Sequence, residues 1–337
     1  MKKIVFLLTL SSATMGMAQS NLNDLLAAGL NDAERFTTAW LAPVTEAGVY
    51  SISNGWYNSA DAKPLGGFEI SIVGNITGFK NKNDKKSFTL NTADYENLQF
   101  ADGSASKQVS TALGDIEGID VYIEAEIAPG VTERADFELP SGLASEDINF
   151  VPSGYIQASV GLIKGTEVKA RFLPKIDTDD VKIGLIGFGL QHDFTKHLPA
   201  DKLLPVAISA IIGYTSLTGE YDFTDTQVID GENQRIDTKF NSWNFGAAVS
   251  TRLPVINFYG GLNYITGKSE TDILGTYVVT SGPFQTTYED PFSISKKASG
   301  VSANIGTKLK LGFFRVNADY NIAEFSTLTF GINFGFR

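Results

Sequence analysis

The side chains able to do chemistry are few and unusually placed. Two histidines, His192 and His197, are present, and cysteine is absent. Thiolate catalysis, disulfides and cysteine metal sites are thereby excluded, and two histidines without cysteine make a poor metal site. Eight charged residues stand out instead: Glu167, Lys169, Arg171, Arg252, Lys308, Lys310, Arg315 and Asp319. Each lies opposite a stripe of apolar residues. Val168, Ala170 and Phe172, for instance, alternate with Glu167, Lys169 and Arg171. Facing one lumen, such charges either fill it as a paired, hydrogen-bonded network or line a basic path for anionic solutes. A further cluster, Glu220, Asp222, Asp225, Asp230, Glu232 and Asp237, lacks the ordered glycine and terminal glutamate of a calcium loop. It reads as a solvated loop that meets charged lipid or polysaccharide through divalent ions, as do Asp177, Asp179 and Asp180.

The pattern that must position these charges is strictest at the C-terminus. Leu328, Phe330, Ile332, Phe334 and Phe336 take one face, and Thr329, Gly331, Asn333 and Gly335 the other. Similar alternation starts at Phe68, Ile70 and Ile72 and returns in segments near 156–162, 168–172, 181–194, 208–214, 243–253, 258–264, 301–311 and 314–322. With little helix to cover the apolar face, a closed barrel facing lipid is the consistent solution. In lipid each Lys or Arg of the charged set would cost ~2–4 kcal/mol near the midplane, so these residues point inward or lie near an interface.

Loop lengths support the same architecture. The joins at 163–165, 254–255 and 312–313 are short and share one side, expected to be periplasmic. Those at 77–152, 221–236 and 268–297 are long and share the other. Only 195–205 and 323–324 depart from this asymmetry. The fold class expected is all-β, a transmembrane antiparallel β-barrel of about ten strands within a range of 10–14, with an N-terminal helix in or under the lumen. Residues 77–152, with a weak strand at Ile119–Ile127, read as one long extracellular loop with an extra hairpin.

The N-terminus divides into two parts. Lys2 and Lys3, the apolar run Ile4–Leu10 and Gly16-Met17-Ala18 form a signal peptide over 1–18, cleaved after Ala18, too short an apolar run to span a bilayer. Residues 19–66 then form a hatch or plug segment, and 67–337 the barrel. Leu22, Leu25, Leu26, Leu30, Ala33, Phe36, Trp40 and Leu41 recur at helical spacing; Ser20 or Asn21 can cap the helix, and Pro43 is expected to end it. Leu26, Leu30, Phe36 and Trp40 are its plug face. The helix either packs passively in the barrel or controls passage.

Gly55-Trp56-Tyr57-Asn58-Ser59-Ala60 after that helix, followed by Gly67-Phe68-Glu69-Ile70-Ser71, resembles the long-chain fatty-acid transporter type of outer-membrane barrel. In that family a helical hatch and an Asn-Pro-Ala-Gly-like turn precede the first strand. Here the turn is Asn58-Ser59-Ala60-Asp61, without the proline and glycine, and ten strands stand where the family usually has fourteen. Arg171-Phe172-Leu173-Pro174 and Gly187-Phe188-Gly189-Leu190-Gln191-His192 look like an uncharacterised barrel family of the Bacteroidota. Neither resemblance transfers a ligand residue.

The formal charge of −11, or −13 without Lys2 and Lys3, opposes nucleic-acid binding. Outer-membrane proteases with ten strands use carboxylates and histidine near the extracellular rim, whereas His192 and His197 fall at the periplasmic end. The expectation is a non-enzymatic outer-membrane barrel, without metal or cofactor, that passes or binds hydrophobic or small solutes. The alternative is an accessory subunit of a larger outer-membrane complex. The expected partners are outer-membrane lipid and lipopolysaccharide, a hydrophobic small molecule and an outer-membrane protein complex.

Overall fold

The computed structural model describes residues 22–178, 180–199, 204–222, 230–281 and 284–336. The signal peptide expected over 1–18, the expected caps Ser20 and Asn21, and Asp179, Asp225 and Arg337 lie outside them. In chain order, a helical stretch over 22–27 leads into α1 (Leu30–Ser53), and β1 (Phe68–Gly78) follows. A second unit comes next: α2 (Asn83–Lys86), β2 (Ser87–Asn91), β3 (Gln99–Phe100), β4 (Ser106–Ser110), β5 (Asp120–Ala128) and β6 (Val131–Glu138). Then come β7 (Phe150–Gly161), β8 (Thr166–Asp177), β9 (Val181–Asp193), β10 (Val206–Asp222), β11 (Asp230–Thr251), β12 (Ile256–Ser281), β13 (Phe284–Glu289), β14 (Phe292–Leu311), β15 (Phe314–Ile322) and β16 (Thr327–Phe336).

Ten of these strands, β1, β7–β12 and β14–β16, pair antiparallel into a closed barrel; β13 is added to the end of β12. The ring closes where β1 meets β16, with Ile72 opposite Ile332, and where β11 meets β12, with Phe245 opposite Tyr264. Closure satisfies the backbone polar groups that an open sheet edge would leave bare. Alternation decides which face is in. Along β16 every odd residue from Thr327 to Gly335 is buried, and every even one from Leu328 to Phe336 is exposed. Apolar side chains thus coat the outside while small and polar ones face the interior, the reverse of a soluble β-protein. No described helix is long and apolar enough to cross a membrane.

Three expectations need correction. The described residues within 221–236 and 268–297 are mostly strand, not loop. The strands run on, so that β11 has 22 residues, β12 26 and β14 20, well beyond the ~9–11 that cross a bilayer. Cross-strand pairing stabilises these polar stretches even where they leave the apolar belt. Residues 77–152 form a folded cap rather than a single loop, with one small sheet pairing β2 and β4 and another ordered β3-β5-β6. Finally, Pro43 does not end the helix. The break falls at Ala28-Gly29, with Gly29 at φ 101°, and α1 continues through Pro43 to Ser53. A proline inside a helix costs about 3 kcal/mol. The burial of Ala47, Val49, Tyr50 and Ile52 beyond it offsets that cost.

The N-terminal segment therefore runs end to end. Leu22, Leu25, Leu26, Phe36 and Trp40 pack with Leu90, Phe100 and Val121 of the cap and with Ile236, Ile273 and Tyr277 on the strand extensions. Leu26, Leu30, Phe36 and Trp40 are consequently cap-core residues, not lumen residues: the Trp40 indole N–H donates to Ser141 O at 3.1 Å. The chain then descends, and Gly66 N–H donates to Gly161 O beside the short 162–165 turn. It enters the barrel at the long-loop end and leaves it at the short-turn end.

Candidate functional site

The interior is the candidate site, and its upper part is filled by the second half of α1. That helix lies against β14, β11, β7, β1, β12 and β10. Its seats are inward glycines. A Cβ on Gly267 would lie 2.6 Å from Val49 Cγ1, and one on Gly300 2.1 Å from the Tyr50 hydroxyl. Below the helix, Cβ atoms on Gly189 and Gly213 would lie 2.6 and 2.2 Å from the Trp56 ring, and one on Gly261 2.3 Å from the Tyr57 hydroxyl. The glycine-rich stretch of β9 thus reads as a face thinned to admit Trp56. Below Leu185 its inward face carries Gly187, Gly189 and Gln191, while Ile186, Phe188 and Leu190 face out.

Where α1 ends, its free carbonyls need donors. Arg171, 2 % exposed, supplies them: Nη1 donates to Ile52 O at 3.0 Å and Nη2 to Asn54 O at 2.8 Å. Nε reaches Gln157 at 2.8 Å, and Nη1 also reaches Thr215 at 3.3 Å. The guanidinium carbon lies 3.5 Å from the centre of the Trp56 ring and 4.3 Å from that of Tyr155. A cation at a helix C-terminus, stacked between aromatic faces, is stabilised without a carboxylate partner. Hydroxyls and amides complete the grip: Ser51 bonds Ser153, Ser53 bonds Ser242, and the Asn244 amide donates to Ser53 O.

The lower part is closed by charge. Glu69 of β1, 1 % exposed, receives Lys308 Nζ at 2.9 Å and Arg315 Nη1 at 2.8 Å. Glu167 of β8 receives Lys169 Nζ at 2.7 Å and Lys63 Nζ at 3.1 Å, and Lys63 also lies 3.8 Å from Glu69. Asn58 joins the groups, accepting from Lys308 Nζ and donating to Glu69. At the rim, Arg252 bridges Asp193 and Asp61, and Lys196 sits 2.7 Å from Asp61. Buried charges are tolerated when paired in this way, and removing one partner strands the other.

The eight charged residues singled out by sequence separate into four places. Glu167, Lys169, Lys308 and Arg315 meet in one network, and Arg252 anchors its rim. Arg171 stands above as the helix cap. Asp319 is buried but lies apart, accepting from Tyr259 at 2.8 Å and from Asn321 at 2.7 Å, with no ion-pair partner among the described residues. Lys310 is only partly buried and reaches down to Leu253 O. The central acid Glu69 was visible as an inward polar residue of its strand. Lys63, Asn58 and Asp61 were not legible, because irregular chain has no periodicity to orient it. In the acidic cluster, Lys182 pairs with Glu220 and Asp222, and Arg235 lies 3.5 Å from Asp237. No group of three metal-ligating residues occurs among the described residues.

The chain belongs to a family of unknown function, DUF6588, whose model matches residues 1–336. None of the curated proteins matches it. Among solved structures it is similar to Ail, the attachment invasion locus protein of Yersinia pestis, at 12% identity and a TM-score of 0.26, covering 81% of this chain and 100% of that one. It is also similar to the translocator domain of the autotransporter NalP from Neisseria meningitidis, at 12% identity and a TM-score of 0.30, covering 82% and 89%. A Pseudomonas aeruginosa FadL homologue gives 9% identity and a TM-score of 0.21, covering 80% and 89%. These are similarities of overall architecture alone.

Proposed function

We propose that this protein is an integral outer-membrane barrel, stoppered by its own N-terminal segment, whose folded outer cap serves as a structural or docking unit of a larger outer-membrane assembly. The membrane assignment rests on the belt. On β14 the outward residues Val301, Ile305 and Leu311 give way above to Ser299, Lys297, Ser295 and Ser293. On β11 the change comes at Trp243, followed outward by Asn241 and Lys239. Trp243, Tyr264 and Tyr214 ring that boundary as an aromatic girdle does. Residues 256–264 of β12, at ~3.3 Å per residue and a tilt of ~40°, rise about 20–25 Å, the height of an outer-membrane apolar band. Lipid meets the belt, and lipopolysaccharide meets the polar extensions above it.

One observation carries the stoppered reading. The segment from Thr45 to Gly67 occupies the lumen from cap to base, seated in glycines above and closed by paired charges below. A ten-strand barrel is narrow already, since ~8 strands hold only side chains. The purified protein in planar bilayers is expected to show no steady conductance, and gentle detergent extraction followed by native mass measurement is expected to yield a stoichiometric complex. A lone, conducting monomer would sink the proposal.

A second reading, passage of hydrophobic or small solutes, is favoured by one feature: apart from Arg171, the foot of α1 is held by hydroxyls and amides, contacts that water can replace. The chain lacks cysteine, so a Ser53→Cys/Ser242→Cys pair would create a single, defined lock. Uptake into liposomes that appears only after reduction of that lock would establish passage by movement of the helix.

A further inference from the structure

The strand β9 ends in a sharp reversal built by Asp193. Its carboxylate accepts the Thr195 N–H at 2.9 Å and the Thr195 hydroxyl, which caps a 3-10 turn over Phe194–His197. Arg252 holds the other carboxylate oxygen at 3.3 Å, so the turn is tied to the barrel base. The reversal lays His197 back over His192. Their Nε2 atoms are 3.2 Å apart, and their ring centres 5.1 Å. These are the two histidines of the whole chain.

We propose that His192 and His197 form a two-imidazole binding site for a divalent transition metal such as Cu²⁺, Ni²⁺ or Zn²⁺ at the short-turn rim. Imidazole nitrogens bind such ions at about 2.0–2.1 Å, which at a tetrahedral angle places two of them about 3.3 Å apart. The observed pair already has that spacing. His192 is also oriented from behind. Thr166 on β8, its register partner, lies with Oγ1 2.9 Å from Nδ1, the outer contact that fixes a metal-binding imidazole. In the tautomer that donates Nδ1–H to Thr166, His192 Nε2 presents a lone pair that accepts the His197 Nε2–H. A metal ion takes the place of that hydrogen, and the His197 proton moves to its Nδ1.

The surroundings leave the pair open. Lys196, between the two histidines in sequence, turns away to Asp61. Gly165, at φ 78°, faces His197, and a Cβ there would stand 3.5 Å from its Nε2. His197 is exposed and His192 half-buried, so water or a ligand carried by a partner can fill the remaining positions. No carboxylate joins the two nitrogens among the described residues, a donor set suited to copper, nickel or zinc rather than calcium or magnesium.

The test uses the full chain in detergent, purified without a histidine tag, and titrated with Cu²⁺. Electron paramagnetic resonance is expected to show one copper per chain coupled to two imidazole nitrogens. His192→Gln and His197→Gln should each leave one nitrogen and weaken binding by more than the ~10-fold typical of losing an outer contact; Thr166→Val should keep both nitrogens with affinity down about tenfold. Heat-modifiable mobility on gels verifies that each variant remains a folded barrel. Copper bound equally well by the His192→Gln/His197→Gln double variant, or a one-nitrogen spectrum from the unsubstituted protein, would overturn the site.

Discussion

At the scale of single residues, the interior is a set of complementary pairs. Trp56 fits because Gly189 and Gly213 carry no Cβ, and Arg171 fits because Trp56 and Tyr155 offer it ring faces. Gly213→Ala should therefore destabilise the barrel by about 1–3 kcal/mol through overpacking against Trp56. In a double-mutant cycle with Trp56→Ala that penalty should largely vanish; additive losses in denaturant unfolding would refute the fit. Arg171→Met should cost roughly 3 kcal/mol or more, because the Ile52 and Asn54 carbonyls lose charged donors inside the barrel. Arg171→Lys should recover little of it, since an ammonium cannot reproduce the planar fork. Much of this scale was legible in the alternation, which separates inward Glu167, Lys169 and Arg171 from outward Val168, Ala170 and Phe172. What alternation could not supply was partnership. That Glu69 would gather Lys308 and Arg315 depends on β1, β14 and β15 meeting around the ring, a long-range fact with no local signal.

At the scale of elements, α1 shows how far local pattern reaches. Its apolar spacing from Leu22 to Leu41 was readable because the cap buries that face. The following Thr45–Ser53 carries threonine, serines, glycine and β-branched residues, weak helix formers with no clear stripe. It is helical because the lumen surrounds it. Pro43 sits at the junction of the two regimes, and Pro43→Ala should raise the thermal unfolding midpoint, with a gain of up to about 3 kcal/mol if the new N–H finds its helical carbonyl. An unchanged or lowered midpoint would mean that the proline serves the bend between cap and lumen. The upper end has its own clasp. Asp32, 2 % exposed, accepts the backbone N–H groups of Glu96, Asn97 and Leu98 at 2.8, 2.8 and 3.1 Å. Asp32→Ala should loosen the cap by roughly 2–3 kcal/mol, seen as faster proteolysis within 79–149 while the barrel keeps its heat-modifiable mobility. The inward glycines of β9, β10, β12 and β14 belong with the inward charges and the N-terminal helix as marks of a filled lumen. A strand that gives up side chains on one face is making room for another backbone or a large ring.

At the scale of the whole molecule, the path of the chain sets the order of assembly and the side on which each part is seen. The described chain starts in the cap at Leu22, descends through the lumen and joins β1 at the short-turn end, while β16 finishes at that same end. An even number of strands places both ends of the sheet on one side of the barrel, and these ten strands comply. The segment ahead of β1 nevertheless comes from the cap at the opposite end, through the middle of the ring. Threading a cap-bound segment through a closed, filled barrel is implausible on steric grounds, so α1 must be in place when β1 pairs with β16, and that closure is expected to be the last step of folding. An epitope inserted directly ahead of Leu22 should then bind antibody on intact cells, whereas one inserted in the 312–313 turn should bind only after the outer membrane is opened. The reverse pattern would show that the cap faces the periplasm and would invert the assignment of both rims, moving the histidine pair to the cell surface.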